Sequence, residues 1–287
     1  MNPIKTITTD ILGSIYLRAD ATIVFVCGKN IDDICSKRRI FVEYATRHMK
    51  GYHFLLAEKF FNFMQEKNQD LLTVENEIAV YSDCILILLE SESAYTELGA
   101  FAVSDDLCKI IIPVNDKRYV DSESFINVGP LKKISNMHDA LGPTINYCDT
   151  TFVDCFIDIE ERLKKVKRKR RVRLAFNDVD TFLVQSKERL LFLYEIVRLF
   201  APIKSKEIIE FLLGIFAGAR LDKIYNDITL LLALNFIRRT GEFYIPVNCD
   251  MSFVVFFDHK YFLTTRAKVI LFYQKNMKER LALLARG

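Results

Sequence analysis

Short apolar runs alternate with amphipathic stretches along the first half of the chain. Each apolar run has the length and bulk of a strand buried on both faces, and the stretches between the runs have helical spacing. The predicted strands cover residues 23–27, 52–56, 83–89, 109–114 and 144–147, and the predicted helices about 32–47, 58–65, 71–81 and 95–105. Strands separated by helices predict an α/β fold with a parallel, flavodoxin-like sheet and right-handed crossovers.

The second half of the chain has a different pattern. Residues 152–173 predict one long helix that leaves the first domain, and residues 177–181 are typical of a linker. Helices are predicted over about 186–200, 205–218, 222–234 and 264–285, with a hairpin at Thr240-Gly241-Glu242. Three helices followed by a hairpin predict a winged helix. We therefore divide the chain into an α/β domain (1–150), a basic connecting helix and linker (151–180) and a winged-helix domain (181–287).

Charge is divided unevenly between the two halves. Residues 1–160 hold 15 basic and 24 acidic residues, whereas residues 161–287 hold 25 and 13. Such a split indicates domains with different partners, one of them polyanionic. The densest basic run is Lys164, Lys165, Lys167, Arg168, Lys169, Arg170, Arg171 and Arg173. This density favours phosphate binding over a merely solvated helix face, and Arg238 and Arg239 would add contacts to a nucleic-acid backbone.

Several classes of protein are disfavoured by the sequence. The seven cysteines form no CxxC pair and the four histidines are scattered, which argues against a zinc site and a disulfide framework. The first 20 residues lack a continuous apolar core, and no stretch of 18 apolar residues occurs. We therefore expect no signal peptide, no membrane association and a cytoplasmic location with reduced thiols. Gly28-Lys29-Asn30 is not a GxGxxG motif, so a Rossmann dinucleotide clamp is not supported.

Glu97 follows the central predicted strand in a position suited to chemistry. Polar residues 90–96 cross the carboxyl end of that strand, Glu97 is predicted to open the next helix, and Gly99 would let its backbone pack closely. Ligands of open α/β sheets bind at this end of the strands. An ionised carboxylate there is able to attack an electron-poor carbon and form a covalent intermediate.

The segment Thr96-Glu-Leu-Gly-Ala-Phe101 resembles the nucleophile region of the nucleoside 2-deoxyribosyltransferase superfamily. In that superfamily the Glu of a Tyr/Thr-Glu-Leu-Gly signature attacks the anomeric carbon of an N-glycoside. Together with Val26-Cys-Gly28, Leu71-Leu-Thr-Val-Glu-Asn-Glu77 and Ser124-Phe-Ile-Asn-Val-Gly-Pro130, it resembles the toxic effectors of type II-A bacterial retrons. Those effectors pair a deoxyribosyltransferase-like N-glycosidase with a winged-helix domain. The resemblance rests on the order and spacing of the four motifs, which span roughly residues 23 to 134.

The resemblance implies a set of site residues. Glu97 would be the nucleophile, and the substrate would be bound by Cys27, Gly28, Glu75, Glu90, Ser93 and Asn127. Asn127 would reach a substrate in its own or in a neighbouring subunit. The residues alone leave other interpretations open: a packed thiol at Cys27, a turn cap at Asn127 and a carboxylate that complements the helix dipole at Glu97. Weaker candidates are Glu58, Asn76 and Glu92.

The function implied by the resemblance is that of an antiphage toxin. It would cleave the N-ribosyl bond of NAD and release nicotinamide in a retaining double displacement. NAD would be consumed as the substrate, and we expect neither a cofactor nor a metal. The expected partners are the retron's reverse transcriptase and its multicopy single-stranded DNA, which would keep the toxin inactive; a homo-oligomer is a further candidate assembly. Two alternatives remain open: a hydrolase or transferase of nucleosides or nucleotides, and a non-enzymatic DNA-binding regulator that senses a nucleotide.

Overall fold

The computed structural model describes residues 15–17, 21–64, 70–166, 172–173, 186–215, 221–256 and 259–284. The chain divides into two compact units. Residues 21–61 and 65–168 form an α/β unit, and residues 1–20, 62–64 and 169–287 form a C-terminal unit. Among the helices that the structure describes, none combines the length and the apolarity that a membrane crossing needs.

The strands and helices are numbered in chain order. The strands are β1 (Ile15–Leu17), β2 (Thr22–Cys27), β3 (Tyr52–Leu55), β4 (Cys84–Leu88), β5 (Ile111–Asp116), β6 (Ile145–Tyr147), β7 (Val172–Arg173), β8 (Ile203–Lys204), β9 (Ile237–Thr240), β10 (Phe243–Pro246) and β11 (Val254–Phe256). The α-helices are α1 (Lys37–His48), α2 (Ala57–Met64), α3 (Leu71–Tyr81), α4 (Glu92–Ala102), α5 (Asp105–Cys108), α6 (Lys132–Asn136), α7 (Cys155–Lys165), α8 (Ser186–Phe200), α9 (Ser205–Ile215), α10 (Leu221–Ala233), α11 (His259–Asn276) and α12 (Lys278–Ala282). A π-helical segment, Asn127–Leu131, precedes α6, and 3-10 turns occupy Lys117–Tyr119 and Asp149–Asp154.

The α/β unit is built on a five-stranded sheet with the order β3-β2-β4-β5-β6. Every pairing in this sheet is parallel, and all residues of β2, β4 and β5 are buried. This is the strand order of flavodoxin-like folds. The predicted parallel sheet is therefore confirmed, and each strand lies within two residues of its predicted position.

Helix α7 belongs to the core of the α/β unit. Its apolar residues Phe156, Ile159 and Leu163 recur at helical spacing and are buried with Phe41 of α1 against the sheet. The rings of Phe41 and Phe156 meet edge to face, with centroids 5.4 Å apart. The prediction of one long helix over 152–173 that leaves the domain is wrong, because α7 ends at Lys165 and residues Val172–Arg173 form strand β7.

Helices α1 and α4 of the α/β unit both start after serines, and neither starts where the sequence predicted. Helix α1 begins after Ser36, and Asp33 instead accepts the N–H of Cys35 in the preceding turn. Helix α4 begins after Ser91, whose hydroxyl accepts the N–H of Ala94 at 3.4 Å. Glu97 therefore lies in the second turn of α4 and does not open the helix. The prediction that Gly99 allows close backbone packing is also wrong, since a Cβ there would meet nothing within 4 Å among the described residues.

The C-terminal unit contains helices α8 to α12 and two small antiparallel sheets, with the orders β8-β10-β9 and β11-β1-β7. The predicted hairpin is confirmed: β9 and β10 pair across Gly241, which has a positive φ of 60°. Buried Arg189 of α8 and Asp227 of α10 form an ion pair with 2.5 Å between Nε and Oδ2. The predicted final helix is interrupted, because α11 ends at Asn276 and α12 restarts at Lys278.

Candidate active site

The candidate active site lies where the strand order of the sheet reverses. Strands β2 and β4 are neighbours, and their carboxyl ends carry Gly28 and Glu90 immediately beyond the sheet. In open α/β sheets the connections on either side of this point lead to opposite faces and leave a crevice for a ligand. The fold thus brings together most of the residues that the sequence singled out.

Glu97 is half-buried in a cluster of charged side chains. From α4 it interacts with Glu75 of α3, Glu58 of α2, Arg38 of α1 and Cys27 at the end of β2. Its Oε2 atom is buried and has no hydrogen-bond partner among the described residues. A buried carboxylate oxygen without a partner is uncommon in folded proteins, and it makes Glu97 a candidate site residue.

Burial and neighbouring charge both act on the Glu97 carboxyl group. Burial raises its pKa to about 7, and the negative charge of Glu75 adds to this effect. The hydrogen bond from Cys27 and the positive charge of Arg38 act in the opposite direction. Near neutral pH the group therefore exchanges between its protonated and ionised forms.

Cys27 is a buried thiol that acts on Glu97 from the end of β2. Burial raises the pKa of the Cys27 thiol well above its usual value, and the charge of Glu97 raises it further. The protonated thiol donates a hydrogen bond to the Glu97 carboxylate. The burial of Cys27 agrees with its interpretation as a packed thiol, and substrate binding by Cys27 stays a prediction.

Arg38 was missed by the sequence analysis. It is 3% exposed, its guanidinium forms an ion pair with Glu58, and its Nη1 atom lies 3.4 Å from the carbonyl oxygen of Val26. In the sequence Lys37-Arg38-Arg39, it is indistinguishable from a surface arginine. Only the packing of α1 beside β2 shows which of these three basic residues turns inward.

Glu90 holds the start of α1. Its carboxylate accepts the N–H groups of Lys37 at 2.7 Å, Arg38 at 2.9 Å and Lys29 at 3.2 Å, and it lies 3.3 Å from the hydroxyl of Ser36. Glycine is favoured at position 28, where φ is +157° and a Cβ would lie 3.1 Å from Glu90 Oε1. Both Glu90 oxygens are thus engaged within the protein, and substrate binding by Glu90 stays a prediction with a competing structural role.

Glu75 is the half-buried acidic neighbour of Glu97. Burial raises the pKa of Glu75, and the charge of Glu58 raises it further. Asn76, the next residue on α3, is exposed. Glu75 is therefore the member of this pair that the fold brings into the cluster.

Ser93 and Asn127 make their described hydrogen bonds within their own segments of the chain. Ser93 is exposed on the first turn of α4, and its hydroxyl is 3.0 Å from that of Ser91. The amide nitrogen of Asn127 donates to the carbonyl oxygens of Tyr119 at 2.6 Å and Ser122 at 2.7 Å. Asn127 thus ties its own loop together, as in the turn-cap interpretation, and its contact with a substrate stays a prediction.

A separate cleft of about 500 Å³ opens at the same edge of the sheet, over the ends of β4, β5 and β6. Glu90 lines this cleft but Glu97 does not. Its wall carries three tyrosines, three basic residues and four acidic ones, namely Tyr95, Tyr119, Tyr147, Lys29, Lys37, Arg118, Glu90, Glu92, Asp116 and Asp149. Among the described residues no group of three or more His, Cys, Asp or Glu side chains is placed to hold a metal ion.

The predicted nucleic-acid interface is only partly described. Lys164 and Lys165 are exposed at the end of α7, where Lys164 pairs with Glu160 at 3.0 Å. Residues 167–171 lie outside the described part of the chain, and Arg173 is in β7. Arg239 is exposed on β9 and donates from Nε to the carbonyl oxygen of Gly241.

Comparison with known proteins adds independent information. The family model described as "STM3845 retron effector protein" matches residues 34–239. A retron Ec73 protein of Escherichia coli is 28% identical over 276 residues, which are 90% of this chain and 86% of that protein. A retron Ec86 protein of the same species is 25% identical over 150 residues, 50% of this chain and 48% of that protein. Both are named as candidate ribosyltransferase/DNA-binding proteins.

Proposed function

The chain belongs to the family of STM3845 retron effector proteins, and from this premise we propose that its α/β unit is an N-glycosidase that cleaves the N-ribosyl bond of NAD. The observation that carries the proposal is Glu97, which presents an unpartnered, buried carboxylate oxygen at the ligand-binding edge of the sheet. The ribosyltransferase names of the two relatives support the same class of chemistry.

The proposed reaction has two displacements. A carboxylate oxygen of Glu97 attacks the anomeric carbon, the bond from that carbon to nitrogen breaks, and its electron pair neutralises the pyridinium ring of nicotinamide. Water then attacks the same carbon as the ester bond to Glu97 breaks. The carboxylate is regenerated, the proton of the water passes to solvent, and the sugar keeps its configuration after two inversions.

The charge of the cluster favours a cationic substrate. Within the described part of the chain, Arg38 is the one cation that acts on Glu97, where it opposes Glu58 and Glu75. Negative groups held in place stabilise both a pyridinium ring and the positive charge that develops on the sugar in the transition state. Nicotinamide also leaves without being protonated, unlike the base of a neutral nucleoside.

The neighbouring cleft favours a substrate larger than a nucleoside. Its volume of about 500 Å³ lies within the usual range for small-molecule sites, and Tyr95, Tyr119 and Tyr147 offer aromatic rings for a second base. Glu90 lines the cleft and also holds the start of α1, to which Arg38 of the Glu97 cluster belongs. We propose that the second nucleotide of the substrate lies in this cleft.

The test is the release of free base from NAD and from a panel of nucleosides, followed by chromatography. We expect nicotinamide from the unmodified chain and from a control, Glu43→Gln, which alters an exposed carboxylate of α1. Glu97→Gln should keep the fold and lower release by several powers of ten. Release from nucleosides and not from NAD would show that the substrate is a nucleoside. No release from any substrate would favour a nucleotide-sensing regulator.

For the C-terminal unit we propose binding to the retron's nucleic acid and reverse transcriptase. The order α8-β8-α9-α10-β9-β10, with β10 between the other two strands, supports a winged helix. The basic run and the DNA-binding names of the relatives support a polyanionic partner. Expression of the chain alone should then be toxic, Glu97→Gln should relieve the toxicity, and co-expression of both partners should suppress it. Equal toxicity of Glu97→Gln would separate toxicity from base release.

A further inference from the structure

The two edges of the parallel sheet carry their charges in different ways. At the carboxyl edge, where the strands end, each cation that lines the cleft of about 500 Å³ lies 2.6 Å from an acidic partner. These pairs are Lys29 with Asp33, Lys37 with Asp149 and Arg118 with Asp116. The cations around this cleft are therefore already neutralised within the protein.

A second cleft, of about 470 Å³, opens at the amino edge of the sheet, where the strands begin. Asp83 and Lys109 line it just before β4 and β5, and Lys165 lines it from the last residue of α7. The Asp83 carboxylate accepts the N–H of Ile23 at 2.7 Å, so part of its charge is engaged by β2. At about 3.3 Å per residue, the stretch from Asp83 through β4 to Glu90 separates the two clefts by roughly 20 Å.

The end of α1 adds two further cations to the amino edge. Helices α1 and α7 pack side by side against the sheet. The chain leaves α1 beside the start of β2, since the carbonyl oxygen of Gly51 accepts the N–H of Thr22 at 3.0 Å. Arg47 in the last turn of α1 and Lys50 just beyond the helix are both exposed there.

Three segments of the α/β unit thus place cations at one edge. We call them the amino-edge surface, and its members are Arg47, Lys50, Lys109, Lys164 and Lys165. Acidic residues also lie nearby, with Asp106 3.4 Å from Lys109, Asp139 3.6 Å from His138 and Glu160 3.0 Å from Lys164. Such solvent-exposed pairs contribute little and leave their cations available to a phosphate.

The remaining cations of the amino-edge surface differ from those of the carboxyl edge. Arg47, Lys50 and Lys165 form no ion pair with another described residue. In the sequence, five consecutive basic residues at 167–171 follow directly after Val166, which lines the amino-edge cleft. The surface is therefore continuous in sequence with the densest positive charge of the chain.

We propose that the amino-edge surface binds the phosphate backbone of a single-stranded nucleic acid, together with the basic run and at the edge of the α/β unit opposite Glu97. Exposed, unpaired cations suit a polyanion, because each phosphate contact releases counterions from the nucleic acid. Nucleic acid bound there leaves the carboxyl edge open, so it and NAD bind at the same time. The inference rests on the proposed binding of nucleic acid, and it adds the α/β unit to a task assigned above to the C-terminal unit.

The first test compares two double variants that change the net charge equally but at opposite edges. Lys50→Glu with Lys109→Glu alters the amino-edge surface, and Lys59→Glu with Lys117→Glu alters exposed lysines just after β3 and β5 at the carboxyl edge. Labelled single-stranded DNA is titrated at several salt concentrations, and thermal melting checks that both variants fold. The amino-edge variant should bind about tenfold more weakly, and its slope of log affinity against log salt concentration should be less steep by roughly 1.4, whereas the control should change little.

The outcomes separate this inference from the proposed function. Equal weakening in both variants, or none in either, overturns the amino-edge assignment and leaves nucleic-acid binding with the C-terminal unit. If the unmodified chain binds no DNA at any salt concentration, both are overturned.

The second test asks whether the two ligands exclude each other. NAD is titrated calorimetrically into the Glu97→Gln chain, with and without a saturating short oligonucleotide. The affinity for NAD should change by less than about twofold, and by linkage NAD should leave the affinity for DNA equally unaffected. Displacement of one ligand by the other overturns the placement of the nucleic acid at the opposite edge. If NAD fails to bind, the proposed substrate is rejected, and the comparison of the two double variants still decides the amino-edge assignment.

Discussion

Glu97 is a candidate nucleophile whose ionised form is costly in the folded protein, because the side chain is partly buried. The sequence motif identified this residue, but the partners that define its chemistry, Arg38, Glu58 and Glu75, come from three other helices. A single sequence gives no signal that one arginine of Lys37-Arg38-Arg39 is buried, since that depends on how α1 packs on the sheet. A local motif was therefore enough to single out Glu97 as the candidate nucleophile, but it gave no information on the charged groups around it.

The pH dependence of base release should report the ionisation of Glu97. Since burial, and after it Glu75, raise the pKa of Glu97 to about 7, release should increase as pH rises through 7 and fall below it. Glu75→Gln removes one raising influence and should move this acid limb to lower pH. The measurement is kcat/KM for nicotinamide release against pH, with Glu43→Gln as the control. If Glu75→Gln leaves the acid limb at the same pH, Glu75 does not raise the pKa of Glu97.

The stability of the fold should depend on the same group with a defined sign. The pKa of Glu97 is higher in the folded protein than its ordinary value of 4.5, so ionisation destabilises the fold increasingly from about pH 4.5 to about pH 7. Glu97→Gln removes this cost. Above pH 7 the variant should be more stable by on the order of 2 kcal/mol, discounted for partial exposure, and the difference should shrink toward pH 5. Thermal unfolding at pH 8 and pH 5.5 checks this, and a gain that is equal at both values would contradict it.

The strands of the α/β unit were predictable because buried parallel strands are continuous apolar runs of characteristic length. Helix starts were less predictable, and α1 shows why. Its first amides are capped by Glu90, a side chain from beyond β4 that is distant in sequence, together with the local cap Ser36. For α7 the predicted helix was too long. The prediction continued it through the basic run to residue 173, which carries no apolar stripe, whereas the helix ends at Lys165.

The capping of α1 by Glu90 has a measurable consequence. Glu90→Ala removes the acceptor for the N–H groups of Lys37 and Arg38 and should destabilise the start of α1 by about 1–2 kcal/mol. Amide hydrogen exchange in the first two turns of α1 should become roughly tenfold faster or more. Glu92→Ala is the matched control, since Glu92 is exposed on the first turn of α4. Equal exchange rates in the two variants would show that Ser36 alone caps the helix.

Across the whole chain, charge separates the two proposed tasks. The acidic first half holds the carboxylate cluster, and the basic second half holds the three-helix and three-strand arrangement that supports a winged helix. The retron effector family model matches residues 34–239, a range that includes parts of both units. The proposed catalytic unit and the proposed polyanion-binding unit together form the arrangement expected of a toxin that is kept inactive by its own nucleic acid.

Charge reversal in the basic run should weaken nucleic-acid binding without altering base release. Changing Lys167, Arg168, Lys169 and Arg170 to Glu removes cations from the run. Each lost phosphate contact should make the slope of log affinity against log salt concentration less steep by roughly 0.7 to 0.9. Titration of labelled single-stranded DNA at several salt concentrations measures both quantities. The control reverses Lys275 and Lys278, two exposed lysines near the junction of α11 and α12. If neither the affinity for DNA nor its salt dependence changes, the basic run is a solvated surface that does not bind nucleic acid.

The covalent intermediate tests the account most directly. A NAD analogue carrying fluorine at the 2-position of the nicotinamide ribose should slow both displacements, because fluorine destabilises the positive charge on the sugar. Intact mass spectrometry of the chain incubated with this analogue should show one added ADP-ribosyl group, and peptide mapping should locate it on Glu97. The adduct should be absent from Glu97→Gln and should disappear as water releases the sugar. An adduct on a different carboxylate, or nicotinamide release from NAD without any adduct from the analogue, would contradict attack by Glu97.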